Sequence, residues 1–278
     1  MPSEESRQPA SMSNNVQSQA LSRIPFRPRK IRRVSSPSKS ATPSASAPLT
    51  HQVHPAIARP LSSDGEVEFA LRHIRDSDPS LAGVIDSLAP PSFDSSSPPF
   101  ISLTKSILYQ QLATKAADTI YGRFLTLCGG DDDGEPVVSP ETVLRLSAQQ
   151  LRQVGVSGRK ASYLHDLASK YRDGVLSDSS ILEMEDETLL RVLTTVKGIG
   201  VWSVHMFMMF SLHRPDVLPV GDLGVRKGIQ LLYKLKELPK PVEMEELCEK
   251  WKPYRSVGSW YMWRLMEWKS NKTLTPAK

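Results

Sequence analysis

Cysteine is almost missing from this chain: Cys128 and Cys248 are the two that its 278 residues contain. Two thiols are too few for a disulfide framework or a four-thiolate cluster, so a reducing compartment is the natural inference. The six histidines are scattered without the short His/Cys spacing of a zinc site, and no metal site is expected. Long apolar runs are missing too. The longest, Val201 to Leu212, is interrupted by Ser203, His205 and Ser211, whereas a membrane-spanning helix needs about 20 predominantly apolar residues. No membrane association is therefore expected. There is no signal-peptide pattern and no internal repeat. No stretch sustains the apolar/polar alternation of a half-buried strand, which leaves an all-α fold of about nine or ten helices.

What is present is unevenly distributed. Residues 1–60 hold 12 Ser and 9 Pro with almost no aromatic side chains, a composition that cannot bury enough surface to offset chain entropy. A disordered basic tail is expected over residues 1–62, a folded domain over 63–270 and a disordered end over 271–278. Nine Lys and Arg against two Glu give residues 1–60 a charge of +7, so the total of +5 leaves −2 for the remainder. The basic pI belongs to the tail, and the folded part must hold any polyanion through local cations and backbone donors. Five of the nine tail cations fall in Arg27-Pro-Arg-Lys-Ile-Arg-Arg33. That run suits a nuclear-import signal, a sliding contact with nucleic acid, or a plain solvated linker. An organelle transit segment also fits, although Glu4 and Glu5 weigh against it. A nuclear location is the expectation.

Periodicity places the helices. Two segments divided at Asp78-Pro79 span Val67 to Leu88, the second with Leu81, Val84, Ile85 and Leu88 on one stripe. One long helix is predicted from Ser102 to Leu127, with Gln110-Gln111 near its N-terminal end. Further helices are predicted over Thr142–Gln150, Ser157–Tyr171 and Leu223–Tyr233, around Met244, Leu247 and Trp251, and through Val257, Trp260, Tyr261, Leu265 and Trp268. The acidic loop Gly129 to Pro136 lacks the alternating ligand spacing of a calcium site.

One stretch carries more information than these. Leu189, Leu190, Leu193 and Val196 recur at helical spacing, Gly198-Ile-Gly200 interrupts, and a second apolar helix begins near Val201. Two glycines allow a tight turn and close approach to a ligand, while the free N–H groups opening the next helix favour an anion. Alone, the pattern equally describes a glycine-terminated helix followed by a core helix. Twenty residues after Trp202 comes Asp222, which reads either as a helix N-cap or as a carboxylate poised beside a bound phosphodiester. Trp263 falls off the Val257, Tyr261, Leu265, Trp268 stripe and is thereby free to line a cleft.

Taken together, Lys197-Gly-Ile-Gly-Val-Trp-Ser203 with Asp222, Ile107-Leu-Tyr-Gln-Gln-Leu112, Gly158-Arg-Lys-Ala-Ser-Tyr163 and Trp251-Lys-Pro-Tyr-Arg-Ser256 with Trp260 to Trp263 resemble the helix-hairpin-helix DNA glycosylase superfamily. The branch most resembled is the 3-methyladenine DNA glycosylase II type, and the likeness runs from Glu66 to Trp268. The resemblance implies two helical subdomains flanking a DNA-binding cleft, and a monomeric enzyme that flips alkylated purines out of double-stranded DNA and hydrolyses their glycosidic bond. It makes Asp222 the catalytic carboxylate, and Trp202, Trp263, Met206 and Tyr109 the base pocket. Gln111, or Leu112, becomes the wedge that fills the gap in the stack. Lys197, Gly198, Gly200 and Ser203 would hold a backbone phosphate. No cofactor is implied beyond a structural monovalent cation on the hairpin carbonyls. Bifunctional relatives carry a lysine nucleophile where this chain has Trp202, so simple hydrolysis is expected, and the iron–sulfur branch needs four cysteines. Met206 stands where some relatives place a pocket tyrosine, which puts the strength of the aromatic cage in doubt. Two other readings are a non-catalytic DNA-binding module, against which Asp222 and Trp263 argue, and a bifunctional glycosylase/lyase for oxidised bases, against which Trp202 argues.

Overall fold

The computed structural model describes residues 58–94, 96–129 and 138–274. The basic run Arg27–Arg33 and the acidic segment following Gly129 lie outside the described residues. Among those described there are thirteen α-helices, one short 3-10 turn and no strand, and no helix is long and apolar enough to cross a membrane. The helices are α1 Glu66–Ser77, α2 Pro79–Ser87, α3 Pro99–Tyr109, α4 Thr114–Cys128, α5 Pro140–Arg145, α6 Ala148–Gln153 and α7 Gly158–Arg172. They continue with α8 Asp178–Glu183, α9 Asp186–Leu193, α10 Val201–Phe210, α11 Leu223–Leu232, α12 Pro241–Cys248, the 3-10 turn Glu249–Trp251 and α13 Arg255–Leu274.

The helices sort into two packed groups. Helices α4, α5, α6 and α8 gather around α3 and α7, whereas α1 and α2 return to pack with α13 and the 3-10 turn, and α11 lies along α13. The pair α9–α10 runs between the groups, and α10 rests on α3. The domain begins before residue 63: Leu61 is buried, its N–H donates to His213 O at 2.8 Å, and Arg59 pairs with Glu66 at 3.0 Å. At the other end α13 continues past residue 270.

Three departures from the periodicity explain why there are thirteen helices. The predicted helix Ser102–Leu127 is broken, because Gln111 takes a left-handed backbone at φ 58°. Two long-range contacts hold that break: the Lys160 ammonium donates to Leu108 O at 2.6 Å, and the Gln110 amide donates to Gly198 O at 2.9 Å. Leu108, Leu112 and Ala116 keep their four-residue spacing across the turn, so the pattern gave no sign of it. The segment Thr142–Gln150 becomes two helices because Ser147 and Gln150 form a reciprocal capping box that starts α6. Helix α8 was not predicted at all; it is a six-residue piece opened by a Ser177 cap. Helix α10 is buried through Val204 and Met206 to Met209, as its all-round apolarity required, but its first residue, Val201, is 52% exposed.

Asp78 ties the α1–α2 junction to the end of α11 and the 3-10 turn. Its Oδ1 accepts from the Ser80 N–H at 3.1 Å, capping α2, while Oδ2 accepts from Tyr233 Oη at 2.5 Å and from Trp251 Nε1 at 2.7 Å. Lys250 Nζ lies 3.5 Å from Oδ1. Burial alone would raise the pKa of this carboxyl, but the hydrogen bonds from Tyr233 and Trp251, the charge of Lys250 and the Ser80 N–H outweigh it and hold the pKa below its ordinary value. A carboxyl depressed in the folded state contributes stability that is present above its unfolded pKa and lost as pH falls through the folded one. Replacing Asp78 with Asn should therefore cost about 1–3 kcal/mol at pH 7. Urea titrations should show that cost shrinking only below the ordinary carboxylate pKa of 3.8; a cost that stays constant into strong acid would contradict the charge-based account.

Candidate active site

The hairpin between α9 and α10 is shaped by one glycine. Gly198 has φ 81°, a conformation that costs a side-chain-bearing residue energy. A Cβ there would also lie 2.1 Å from the Tyr163 ring. Tyr163 belongs to α7, and so does Asp166, whose Oδ2 accepts the Lys197 N–H at 2.9 Å. The hairpin is thus seated on α7 by a ring under its glycine and a carboxylate at its shoulder. Gly200, extended, precedes α10 with no side-chain cap, which leaves the first N–H groups of that helix directed outward, next to half-buried Ser203. The Lys197 ammonium is exposed and reaches Asp166 only at 3.7 Å. Among the hairpin carbonyls, Val196 O already accepts from Ile199 N–H and Gly198 O from Gln110, so a monovalent cation there would have to share those oxygens.

The loop that leaves α10 is fastened before it reaches Asp222. Arg255 grips Asp216 through Nε at 2.6 Å and a second guanidinium nitrogen at 2.9 Å. The Ser256 hydroxyl accepts from Val217 N–H and donates to Arg214 O. This anchorage on the start of α13 fixes where α11 begins, and Asp222 is its N-cap: Oδ1 accepts the Val225 N–H at 2.8 Å. The capping reading of Asp222 is thus correct.

Capping is not its whole environment. Trp263 Nε1 donates to the same Oδ1 at 2.8 Å, and Trp202 Nε1 donates to Oδ2 at 2.7 Å. Three N–H donors thus face the carboxyl of Asp222, a residue that is 2% exposed. Trp202 opens α10, which rests on α3 of one group, and Trp263 and Asp222 lie in the other, so the carboxyl sits where the two groups meet. The approach of α13 depends on two glycines one turn apart on α11. A Cβ on Gly224 would meet Trp263 Cδ1 at 2.7 Å and Nε1 at 3.0 Å, and one on Gly228 would meet Met262 Cβ at 2.6 Å. Trp263 is not free to swing in a cleft. It is 8% exposed and tilted against Phe210, with centroids 5.9 Å apart.

The remaining expected residues fall in two places. Met206 is buried on α10, one turn beyond Trp202. Gln111 stands exposed at the break between α3 and α4, with half-buried Leu112 beside it, and Gln110 ties that turn to the hairpin. Tyr109 is joined instead to the α3–α4 pair: its hydroxyl donates to Asp118 at 2.5 Å and Lys105 lies 5.3 Å from its ring. Burial and the neighbouring Asp118 raise that hydroxyl's pKa. No contact among the described residues links Tyr109 to Asp222. Sequence reasoning missed Gln110, Asp166, Gly224 and Phe210 as parts of the site. Gln110 left a signal as half of the polar pair Gln110-Gln111, and Gly224 as one of two glycines, with Gly228, at i, i+4 inside a helix where propensity disfavours both.

Comparison with known proteins follows this geometry closely. Residues 104–253 match the model of the HhH-GPD superfamily base excision DNA repair proteins. DNA-3-methyladenine glycosylase 1 of Schizosaccharomyces pombe is 32% identical over 167 residues, 60% of this chain and 72% of that one. Two solved structures superpose well. A DNA-3-methyladenine glycosidase from Bacillus halodurans gives a TM-score of 0.66 at 34% identity, covering 77% of this chain and 94% of that one. The S. pombe 3-methyladenine DNA glycosylase Mag1 in complex with abasic DNA gives 0.60 at 28% identity, covering 70% and 95%. Among the relatives matched, the share of the relative's own length that is spanned ranges from 32% to 96%, and is 58% for the Bacillus subtilis relative YfjP.

Adding one methyl at Gly224 tests the geometry directly. Gly224→Ala should push the Trp263 indole off Oδ1 of Asp222 and, despite the better helix propensity of alanine, destabilise the domain by about 1–3 kcal/mol. Near-ultraviolet circular dichroism and a urea titration read the two effects. An unchanged indole spectrum with wild-type stability would show that the α11–α13 contact is looser than described.

Proposed function

The chain belongs to the HhH-GPD superfamily of base excision DNA repair proteins, and from that membership we propose that it is a monofunctional DNA glycosylase, acting as a monomer, that hydrolyses the N-glycosidic bond of alkylated purines in duplex DNA. The observation that carries this reading is Asp222, held by two indole N–H groups and a helix N-terminus where the two helical groups meet. A helix cap needs only one of those donors. The basic run Arg27–Arg33 supports nuclear delivery as part of the same proposal.

In this reading the hairpin of Gly198, Gly200 and Ser203, with Lys197 beside it, holds a backbone phosphate through outward N–H groups and one cation. The turn carrying Gln111 and Leu112 enters the stack, and the damaged nucleotide rotates out towards Asp222. The C1′–N bond then breaks heterolytically, with the electron pair leaving on the base. An N3- or N7-methylpurine is cationic in DNA and departs neutral, so no strong general acid is required. Positive charge develops on the sugar, and the fixed carboxylate lowers its energy. Oδ2 accepts one hydrogen bond against two at Oδ1, so it keeps the lone pair that faces the sugar and orients the attacking water. Water adds to C1′, loses its proton, and leaves an abasic site with the strand intact.

Both indole N–H groups are committed to Asp222, so half-buried Trp202 offers an incoming base its ring surface rather than a hydrogen bond, and Trp263, packed against Phe210, offers only the edge of the ring that its burial leaves uncovered. Ring surfaces favour a charged purine through cation–π attraction. A tryptophan at position 202 supplies no amine for a Schiff base, so the strand-cleaving chemistry has no nucleophile at that position.

The deciding assay is release of methylated bases from alkylated duplex DNA. Asp222→Asn should lower release on the order of 10²–10⁴-fold while duplex binding is largely retained. It should also cost stability, because one end of the amide is a donor and leaves an indole N–H unpaired. Release by the variant equal to that of the wild type would remove Asp222 from catalysis, and a covalent adduct trapped by borohydride would reverse the monofunctional assignment.

A further inference from the structure

The break between α3 and α4 and the hairpin between α9 and α10 are 88 residues apart in sequence and are joined by one side-chain bond, Gln110 Nε2 to Gly198 O at 2.9 Å. Both ends of that bond are unusual backbone. Gly198 is left-handed at φ 81°, and Gln111, the next residue after Gln110, is left-handed at φ 58°. Beneath them lies a shared support, α7. Lys160 caps the carbonyl of Leu108, Tyr163 fills the space under Gly198, and Asp166 holds the Lys197 N–H. Burial also lowers the pKa of Lys160 below its ordinary value.

From this arrangement we infer that Gln110 is a positioning residue that locks the stack-entering turn to the phosphate-holding hairpin, so that both reach the duplex as one rigid body. The inference rests on the glycosylase reading. A phosphate seated at Gly198 and Gly200 fixes one strand, and the Gln110 bridge then fixes where Gln111 stands relative to that phosphate. Without the bridge, the turn keeps its support from Lys160 but not its register with the hairpin. Gln111 would then spend much of its time out of line with the stack. Entry into the stack matters only when the base must be taken out of a paired, stacked position, because an unpaired base has less to lose on extrusion. Gln110 should therefore control the extrusion step and leave bond cleavage untouched.

The variant Gln110→Glu keeps the length of the side chain and removes its donor; Gln110→Ala removes the side chain altogether. Each is compared with the full-length wild type in single-turnover release of one 7-methylguanine, placed either opposite cytosine or opposite a tetrahydrofuran site with no base to pair. Both variants should lose about tenfold in rate on the paired duplex, as the loss of one well-formed hydrogen bond allows, and less than twofold on the unpaired one; the small loss of folded stability that the missing bond also brings is common to both duplexes and drops out of that comparison. Equal loss on the two duplexes would mean a general structural role and overturn the inference, as would full activity of both variants on the paired duplex. Failure of the wild type to release base from either duplex would instead overturn the glycosylase reading.

Discussion

One carboxylate sets the demands on the rest of this structure. Asp222 is almost fully removed from water, and a buried carboxyl is costly unless its oxygens are satisfied by donors. Here the donors come from three directions: the first turn of its own helix, an indole on the last helix and an indole at the start of the helix after the hairpin. Each direction needs its own supporting structure. The first turn is placed by a loop that Arg255 and Ser256 fasten, and the second indole by glycines that let two helices nearly touch. The third comes from the packing of α10 against α3. Solvent could not substitute for any of them, so the site is preorganised before anything binds.

The same arrangement gives the hairpin its meaning. Trp202 is two residues from Gly200, so the extended residue that closes the hairpin and the residue that holds the carboxylate are separated by Val201 alone at the start of α10. The distance from the hairpin to the carboxyl is thereby set by covalent geometry and one hydrogen bond. Such short, stiff connections are what catalysis by positioning requires, since the reacting atoms must stay within a narrow range of separation. The long apolar helix that follows is the anchor of this unit, because its buried methionines cannot be shifted without opening the core.

Much of this was legible in the residues, and the limits follow a physical line. Helix positions with a continuous apolar stripe, such as Pro79–Ser87 and Leu223–Leu232, were read nearly to the residue, because burial on one face writes itself into spacing. Gly198, Asp222, Trp202 and Trp263 were legible as a set because four separated motifs had to agree. What could not be read was any feature decided by a long-range polar contact. The turn at Gln110–Gln111 depends on Lys160 and on the hairpin, so the four-residue repeat running through it pointed to a continuous helix. The angle of Trp263 on its helix puts it off the apolar stripe; that its N–H is spent on Asp222 follows from the packing of α11 along α13, which no local pattern encodes.

The division between legible and hidden features has a consequence for how the site divides its work. Residues visible from sequence supply chemical groups: a carboxylate, two rings and a run of N–H donors. Residues whose part shows only in the fold, among them Asp166, Tyr163 and Gly224, each fix one of the first set in space. Two of these three belong to the α7 segment, whose motif Gly158 to Tyr163 matched without any assigned role. Its part is now physical. Helix α7 carries the hairpin on Tyr163 and Asp166 and closes α3 with Lys160, so one helix holds the hairpin and the Gln110–Gln111 turn at a fixed separation.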